Sequence, residues 1–193
     1  MDIVAHTLWA GAGLVMARRR WAIASRTVAL TLALAALPDI PHLLPVIGWW
    51  LFGDGTFAAL RAVAIAVPGQ EAVLPPLVTQ WSWHLHCVMH SAVVVAGAVT
   101  LVLWVWRRAM WLPLLGWWSH IVIDVFTHSA AYYPAPVLYP FSQRGFDGLA
   151  WNTPWFLWLN YVVLVAVGLA LLLTRRRGRP LSASAQTRRI PLP

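Results

Sequence analysis

Histidine and aspartate side chains recur at helical spacing inside the long apolar stretches of this chain. His120, Asp124 and His128 follow one another at intervals of four residues, and His86 and His90 are separated by the same interval. At 3.6 residues per turn, side chains four apart lie on nearly one face of a helix. Imidazole and carboxylate groups together suit zinc or another borderline divalent ion. The spacing therefore predicts a divalent metal site, with zinc as the favoured ion.

Two more segments carry the same residue types next to apolar stretches. His6 lies near the start of the chain, and Asp39 and His42 are three residues apart after the second apolar stretch. A charged side chain at the centre of a membrane helix costs roughly 2.5–3.5 kcal/mol, so groups placed there are candidates for function. We predict Asp39 and Asp124 as catalytic carboxylates. The predicted metal ligands are His6, Asp39, His42, His86, His90, His120, Asp124 and His128.

The chemistry that such a site supports is hydrolysis. Catalytic zinc usually keeps three protein ligands and one open position, where the pKa of a bound water falls toward about 7. A nearby carboxylate can orient that water or take its proton. The candidates outnumber the needs of one ion, so either two ions bind or some residues fix the tautomers of the ligands. The leading prediction is a metal-dependent hydrolase.

Non-enzymatic alternatives remain open from the residues alone. A lone buried histidine is more often a structural group than a ligand, and His84 points away from His86 on a helix. The histidines could also bind haem or belong to a metal carrier or a structural partner. Residues 93–106 and 109–118 contain only Thr100 as a polar side chain. That scarcity argues against a polar path across the membrane and so against a carrier.

Composition assigns the chain to the integral membrane proteins. Of its 193 residues, 60% are hydrophobic and only 10% are charged, whereas soluble domains average about 25% charged residues. The mean hydropathy is +0.67. The net charge is +8, but the arginines flank apolar stretches and form no basic face, so we predict no nucleic-acid partner. We predict an all-α polytopic bundle in contact with the lipid bilayer.

Five apolar stretches are the predicted spans, although the first two are short against the roughly 20 residues that a span needs. Arg18–Arg20, Arg107–Arg108 and Arg175–Arg177 close alternate ends of these stretches. The excess of positive charge in cytoplasmic loops then places the N-terminus outside and the C-terminus inside, in a bacterial inner membrane crossed several times. The stretches are residues 3–17, 21–37, 77–106, 109–127 and 155–174.

The predicted domain organisation is one transmembrane helical domain, residues 1–177, followed by a disordered cytoplasmic tail, residues 178–193. Two long outer loops interrupt the domain at residues 53–76 and 128–154. The first contains a helical patch, residues 57–67, that is predicted to lie in the membrane interface. The second is rich in proline and aromatic residues, which favours an ordered cover over the site. The sequence leaves the oligomeric state open.

Several motifs taken together resemble the YdjM-like family, whose members are described as LexA-regulated, membrane-bound, metal-dependent hydrolases. The resemblance covers about residues 3–142 and implies His6, Asp39, His42, His90, His120 and Asp124 as the metal-binding or catalytic set. The motifs are His6, Leu37-Pro38-Asp39 followed by His42, His90-Ser91, Gly116-Trp117-Trp118-Ser119-His120 with Asp124 and Thr127, and Pro140-Phe141.

The chain also departs from that family pattern. The family often has a second aspartate where this chain has Pro41, which offers no side-chain ligand, and often has a basic residue near the position of Cys87. His128 is an addition, and it or His86 could replace the missing ligand. The His-x-x-x-Asp spacing is also similar to that of zinc phospholipases C and related nucleases. That similarity favours a phosphoester substrate. A site just under the outer headgroups of the membrane would also suit a lipid-like substrate, or another small molecule.

Overall fold

The computed structural model describes residues 1–65, 72–106, 111–130 and 133–177, and within these ranges the chain is helical, with no strand. The predicted tail at 178–193 and two residues of the predicted patch at 57–67 lie outside the described residues. The helices are α1 (Ile3–Ala17), α2 (Ser25–Ala36), α3 (Leu44–Phe52), α4 (Phe57–Ile65), α5 (Pro76–Met89), α6 (Ala92–Trp106), α7 (Trp111–Thr127) and α8 (Pro154–Arg177).

Helix α1 has the bounds that the sequence predicts. It begins where the Asp2 side chain accepts a hydrogen bond from the Ala5 amide at 3.0 Å, an N-cap that satisfies one free donor of the first turn. Its other end lies beside the end of α8, because Arg19 donates to the Leu171 carbonyl and to Thr174. Helices α1 and α8 therefore run parallel.

The second apolar stretch, residues 21–37, contains α2 and ends near Pro38, as the sequence predicts. After α2 the chain makes two short 3₁₀ turns, Leu37–Asp39 and Pro41–Leu43, and then continues as α3. Each turn contains a proline, Pro38 or Pro41, whose missing N–H cannot extend an α-helix. The sequence did not predict α3 as a helix. The two turns hold Asp39 at a bend of 40° between two apolar helices.

The third apolar stretch, 77–106, is two helices rather than one continuous helix. Helices α5 and α6 meet at a bend of 58°, at His90 and Ser91. The Ser91 hydroxyl accepts from the Val94 amide at 3.1 Å, which caps the start of α6. The same hydroxyl donates to the Tyr139 carbonyl. A serine that can cap a new helix stabilises a break that hydropathy alone does not reveal.

Helix α7 packs most closely against α2. A Cβ built on Gly116 would lie 2.2 Å from the carbonyl oxygen of Thr31, so only glycine permits this approach of the two backbones. One turn further along both helices, the His120 ring donates to the Ala35 carbonyl. The two helices run parallel at this contact. Trp117 also donates to the Met89 carbonyl, which fixes α7 against the end of α5.

By length and composition, one helix in the described part of the chain can cross a membrane: Pro154–Thr174 has a mean hydropathy of 2.4. Two bent helix pairs meet the same criteria if each counts as one span, which gives up to three spans. The five-span topology stays a prediction. The bent pairs are Ser25–Asp39 with Pro41–Phe52, and Pro76–Met89 with Ala92–Val102.

The segment between α7 and α8 folds back over the end of the bundle where α7 ends. The amides of Gly148 and Trp151 donate to the carbonyls of His128 and Thr127, both at 2.8 Å. Farther along this segment, the Val137 carbonyl accepts from the first amide of α6 at 2.9 Å. These backbone contacts place an ordered segment beside the predicted ligands.

Candidate metal centre

Four predicted ligands from three parts of the chain meet in one place, and we call them the inner group: Asp39, His90, His120 and Asp124. Asp39 comes from the bend after α2, and His90 from the bend after α5. The other two project from α7, one turn apart. One ligand atom from each residue lies within 4.8 Å of those of the other three. The bend after α2, the bend after α5 and the close contact of α7 with α2 therefore together position one cluster.

The Nδ1 atom of each histidine in the inner group is hydrogen-bonded to a backbone carbonyl. His90 Nδ1 lies 2.9 Å from the His86 carbonyl oxygen, and His120 Nδ1 lies 2.7 Å from that of Ala35. A carbonyl oxygen only accepts, so both Nδ1 atoms carry the hydrogen. In the neutral rings the Nε2 atoms then present lone pairs. A carbonyl bonded in this way to the second nitrogen is the usual partner of a histidine that ligates a metal.

The distances inside the group match a tetrahedral ion. The two Nε2 atoms are 3.2 Å apart, Asp124 Oδ2 lies 2.9 and 3.1 Å from them, and Asp39 Oδ1 lies 3.4 and 3.5 Å from them. Zinc bonds of about 2.0–2.1 Å in tetrahedral geometry place ligand atoms about 3.3 Å from one another. His90, His120 and Asp124 therefore fit three positions of such an ion and can hold one, and Asp39 Oδ1 lies somewhat farther away, near the fourth position.

Charge and hydrogen bonding favour a cation at the same point. Asp124 is fully buried, and its Oδ2 atom has no hydrogen-bond partner among the described residues although two imidazole nitrogens lie close to it. Asp39 Oδ2 is buried without a partner as well. The two carboxylates carry two negative charges, of which the Met1 ammonium beside Asp124 balances one, so a cation between them would lower the cost of their burial.

The second oxygen of Asp124 is held by a different set of groups. His6 Nε2 donates to Oδ1 at 2.9 Å, and the α-amino group of Met1 also donates to it. The Thr127 hydroxyl lies 3.3 Å from the same atom, and His128 Nε2 lies 3.4 Å away. These contacts fix the carboxylate so that its Oδ2 atom faces the inner group.

We call His6, His42, His86 and His128 the surrounding histidines, because all four were predicted as ligands and lie around the inner group. His6 stacks on His120 with ring centroids 3.6 Å apart. The ring centroid of His86 lies 4.1 Å from that of His90, but its Nε2 donates to the Pro134 carbonyl at 3.1 Å. The His42 ring meets the edge of the His86 ring at 5.9 Å. The structure thus gathers all eight predicted residues in one region.

A cavity of about 250 Å³ leads to the inner group from the surface. Among its lining residues are Asp39, His42, His86, His128 and Tyr133. The Asp39 side chain is 13% exposed, whereas the other three inner side chains are 0% exposed. Asp39 is therefore the member of the inner group that a molecule in the cavity meets first.

Tyr133 was not predicted as part of the site. Its backbone has φ of 47°, in the left-handed region that costs a residue other than glycine roughly 1–2 kcal/mol. In this conformation its carbonyl accepts from His128 Nδ1 at 2.5 Å. Burial raises the pKa of the Tyr133 hydroxyl above its ordinary value. No side-chain pattern in the sequence reveals a carbonyl that positions a histidine.

His84 lies outside the cluster, as the helical spacing predicts. It is exposed, and its Nδ1 atom lies 2.8 Å from the Tyr139 hydroxyl.

Comparisons of the chain with protein-family models, with curated proteins and with solved structures found no match. The resemblance to the YdjM-like family therefore stays a prediction from motifs, and the geometry of the site carries the functional argument.

Proposed function

We propose that this protein is a membrane-bound hydrolase that depends on a divalent ion, with zinc as the native metal. The carrying observation is that two imidazole Nε2 atoms lie 3.2 Å from each other and 2.9–3.5 Å from oxygens of two carboxylates. Both imidazoles have their other nitrogen committed to a carbonyl, an arrangement typical of metal sites. A cluster of this kind, beside a cavity, is the default candidate for an active site.

The inner group divides by exposure into ligands and an acid–base residue. His90, His120 and Asp124 are fully buried and supply the three protein ligands that a catalytic zinc site usually has. Asp39 reaches the cavity and has an unpartnered carboxylate oxygen, so it takes the proton of the attacking water and returns it to the leaving group. Zinc, when bound, supplies a water of lowered pKa and a positive charge beside the developing oxyanion.

The proposed location is the bacterial inner membrane, with several spans and the site toward the extracytoplasmic face. Helix α8 supports insertion, since only 11% of its apolar window is buried and Trp158, Val162 and Leu169 are among its exposed side chains. Arg18–Arg20 and Arg175–Arg177 lie at the ends of α1 and α8 away from the site, where the positive-inside preference places the cytoplasm. The proposed substrate class is a phosphoester or lipid-like ester.

The test combines metal content with turnover of a soluble phosphoester. Detergent-purified protein should contain about one zinc per chain and hydrolyse p-nitrophenyl phosphate or its diester. His120→Ala should lose both metal and turnover, whereas Asp39→Asn should keep the metal and lose turnover by about 100-fold or more, as expected for a general base. Asp147→Asn, an exposed carboxylate bonded to the Ala130 amide, is the matched control.

Two results would overturn the proposal. One is purified protein without any divalent metal under conditions where added zinc also fails to bind. The other is zinc-loaded protein that leaves phosphomonoesters, phosphodiesters and carboxylic esters untouched. If Asp39→Asn released the ion as well, Asp39 would be a fourth ligand, and a closed four-ligand site would indicate a structural ion.

A structural role without metal is the second candidate. The separation of 2.9 Å between His120 Nε2 and Asp124 Oδ2 also suits an ion pair in which the imidazole is protonated. In that case the cluster only fixes helix packing, and Asp124→Asn destabilises the fold with no metal to lose. A haem bound between the two inner imidazoles is disfavoured, since Nε2 atoms 3.2 Å apart leave no space for a porphyrin.

A further inference from the structure

A second and larger cavity, of about 910 Å³, runs between α1, α7 and α8. We call it the groove. Its lining extends along α7 from Trp111 to Thr127 and is almost entirely apolar, with Trp9, Leu115 and Phe156 among its walls. The hydroxyls of Thr31, Ser119 and Thr127 in this lining all donate to carbonyls of their own helices. The surface that the groove offers a ligand is therefore apolar over most of its length.

One end of the groove lies next to Asp124 Oδ1. Thr127 lines that end, and its hydroxyl lies 3.3 Å from Asp124 Oδ1. Met1 lines both the groove and the smaller cavity that reaches Asp39. The groove and the smaller cavity therefore adjoin at Met1, so a molecule with a polar head in the smaller cavity can place a hydrocarbon tail in the groove. Along α7 the lining covers about 24 Å at 1.5 Å per residue, more than the roughly 15 Å of one bilayer leaflet's hydrocarbon.

One polar group in the groove lacks a partner. Asn160 is 7% exposed and lines the groove, and its Oδ1 atom accepts from Trp9 Nε1 at 2.9 Å. Its Nδ2 atom has no hydrogen-bond partner among the described residues. A buried amide donor without a partner is costly, and a carbonyl on a ligand would satisfy it. Trp9, which bonds this amide, follows His6 by three residues and so lies about 4.5 Å farther along α1.

We propose that the groove binds an acyl chain of the substrate, which makes the substrate class a phosphoester lipid with an acyl ester. The phosphoester lies at the inner group, the ester carbonyl accepts from Asn160 Nδ2, and the chain fills the groove between α1, α7 and α8. The volume of the groove is within the roughly 300–1,000 Å³ of ligand pockets. This inference rests on the proposed hydrolase function for its chemistry, but chain binding can be measured without turnover.

Gly13 offers a way to fill the groove without disturbing the fold. It lines the groove, and a Cβ built on it would meet no atom within 4 Å. Gly97 on α6 is equally open and is not among the lining residues, so Gly97→Phe is the matched control for Gly13→Phe. Asn160→Asp keeps an oxygen for Trp9 and removes the unpartnered donor.

The first measurement compares phosphatidic acid in mixed micelles with soluble p-nitrophenyl phosphate. Gly13→Phe should lower kcat/KM for the lipid by about 10- to 100-fold, because it removes apolar contacts of the chain, and should leave the soluble substrate unchanged. Asn160→Asp should lower kcat/KM for the lipid alone, and Gly97→Phe should change neither value. Equal losses on both substrates, or equal effects of the two phenylalanine variants, would overturn the acyl-chain site.

The second measurement is independent of catalysis. A phosphatidic acid with a photoreactive acyl chain is crosslinked to the purified protein, and the labelled peptides are mapped. Peptides of α1 and α7 should be labelled in the wild type and in Gly97→Phe, with at least a fivefold loss in Gly13→Phe. Labelling that ignores Gly13→Phe would overturn the inference. If Gly13→Phe loses the labelling but the protein hydrolyses no substrate, the acyl-chain site in the groove would stand and the hydrolase function would be rejected.

Discussion

The inner group and the surrounding histidines use the same residue types, yet their ring nitrogens point to different partners. In His90 and His120 the Nδ1 atom donates to a carbonyl and the Nε2 atom faces the shared point. In His6 and His86 it is Nε2 that donates, to Asp124 Oδ1 and to the Pro134 carbonyl. A histidine whose Nδ1 is hydrogen-bonded to a carbonyl can bind an ion through Nε2, whereas a histidine whose Nε2 is already hydrogen-bonded can only hold neighbouring groups in place.

Burial does not separate the two sets. His6 and His86 are 1% and 2% exposed, against 0% for both inner histidines. His128 shares features of both sets, since its Nδ1 donates to the Tyr133 carbonyl while its Nε2 lies 3.4 Å from Asp124 Oδ1. His128 thus lies at Oδ1 of Asp124, whereas the inner histidines lie at Oδ2. The comparison predicts that substitutions in the inner group lower the metal affinity most, and that substitutions among the surrounding histidines lower it less.

The largest effect is expected for Asp124→Asn. Asp124 contacts both sets through different oxygens, and the substitution removes the negative charge that attracts the cation and turns one oxygen into a donor facing lone pairs. Loss of a supporting residue usually costs 10- to 100-fold in metal affinity, so loss of this ligand should exceed about 100-fold. Competition with a zinc chelator, followed by elemental analysis, measures the change.

The exposed Asp54→Asn is a suitable control for Asp124→Asn, because Asp54 pairs only with Trp49 in its own surface turn. Its zinc affinity should equal that of the wild type. Retention of zinc by Asp124→Asn at wild-type affinity would show that the inner group is no metal site, and the protonated ion-pair cluster would then explain the geometry.

An intermediate effect is expected for His6→Phe. Phenylalanine keeps a ring against His120 but loses the hydrogen bond from Nε2 to Asp124 Oδ1. The carboxylate can then rotate away from the inner group, which should weaken zinc binding by about 10- to 100-fold. A chelator titration of His6→Phe beside His6→Gln, which can still donate, separates the hydrogen bond from packing. If His6→Phe matched Asp124→Asn in severity, His6 itself would be a ligand.

The helical spacing of the sequence predicts the face of α7 correctly. His120, Asp124 and His128 all turn toward one region because side chains four apart share a face, and the same rule excludes His84. The bounds of α1 also follow from the sequence, since Asp2 is a strong N-cap and the arginines end the apolar stretch. Local patterns suffice where one helix presents its own side chains.

The sequence does not reveal features that depend on contacts between helices. The bend at His90 depends on Ser91 bonding both Val94 and Tyr139, and the tautomer of His120 depends on a carbonyl of Ala35. Backbone carbonyls have no signature in the residue types. The tight approach at Gly116 was visible only as one glycine inside a motif, without its partner on α2. Tertiary contacts between distant segments decide these points.

The smallest effect on metal affinity is expected for His86→Ala, although the residue was predicted as a ligand. His86 bonds the Pro134 carbonyl and stacks on Trp83, so its loss leaves that carbonyl unpaired and a void beside His90. We expect a cost of about 1–3 kcal/mol in unfolding free energy and less than about a tenfold loss of zinc affinity. Thermal unfolding in detergent and chelator titration measure the two quantities separately.

His84→Ala is the matched control, two residues away on the exposed side of α5, and should change the unfolding free energy by no more than about 0.5 kcal/mol. A stability loss in His86→Ala with zinc retained would place the boundary of the metal site between His86 and His90, one helical turn apart. His86→Ala could instead release zinc at the chelator concentrations that remove zinc from Asp124→Asn. Burial of the ring would then identify the metal ligands better than the nitrogen that is already hydrogen-bonded, because His86 is buried but its Nε2 atom is bonded to the Pro134 carbonyl.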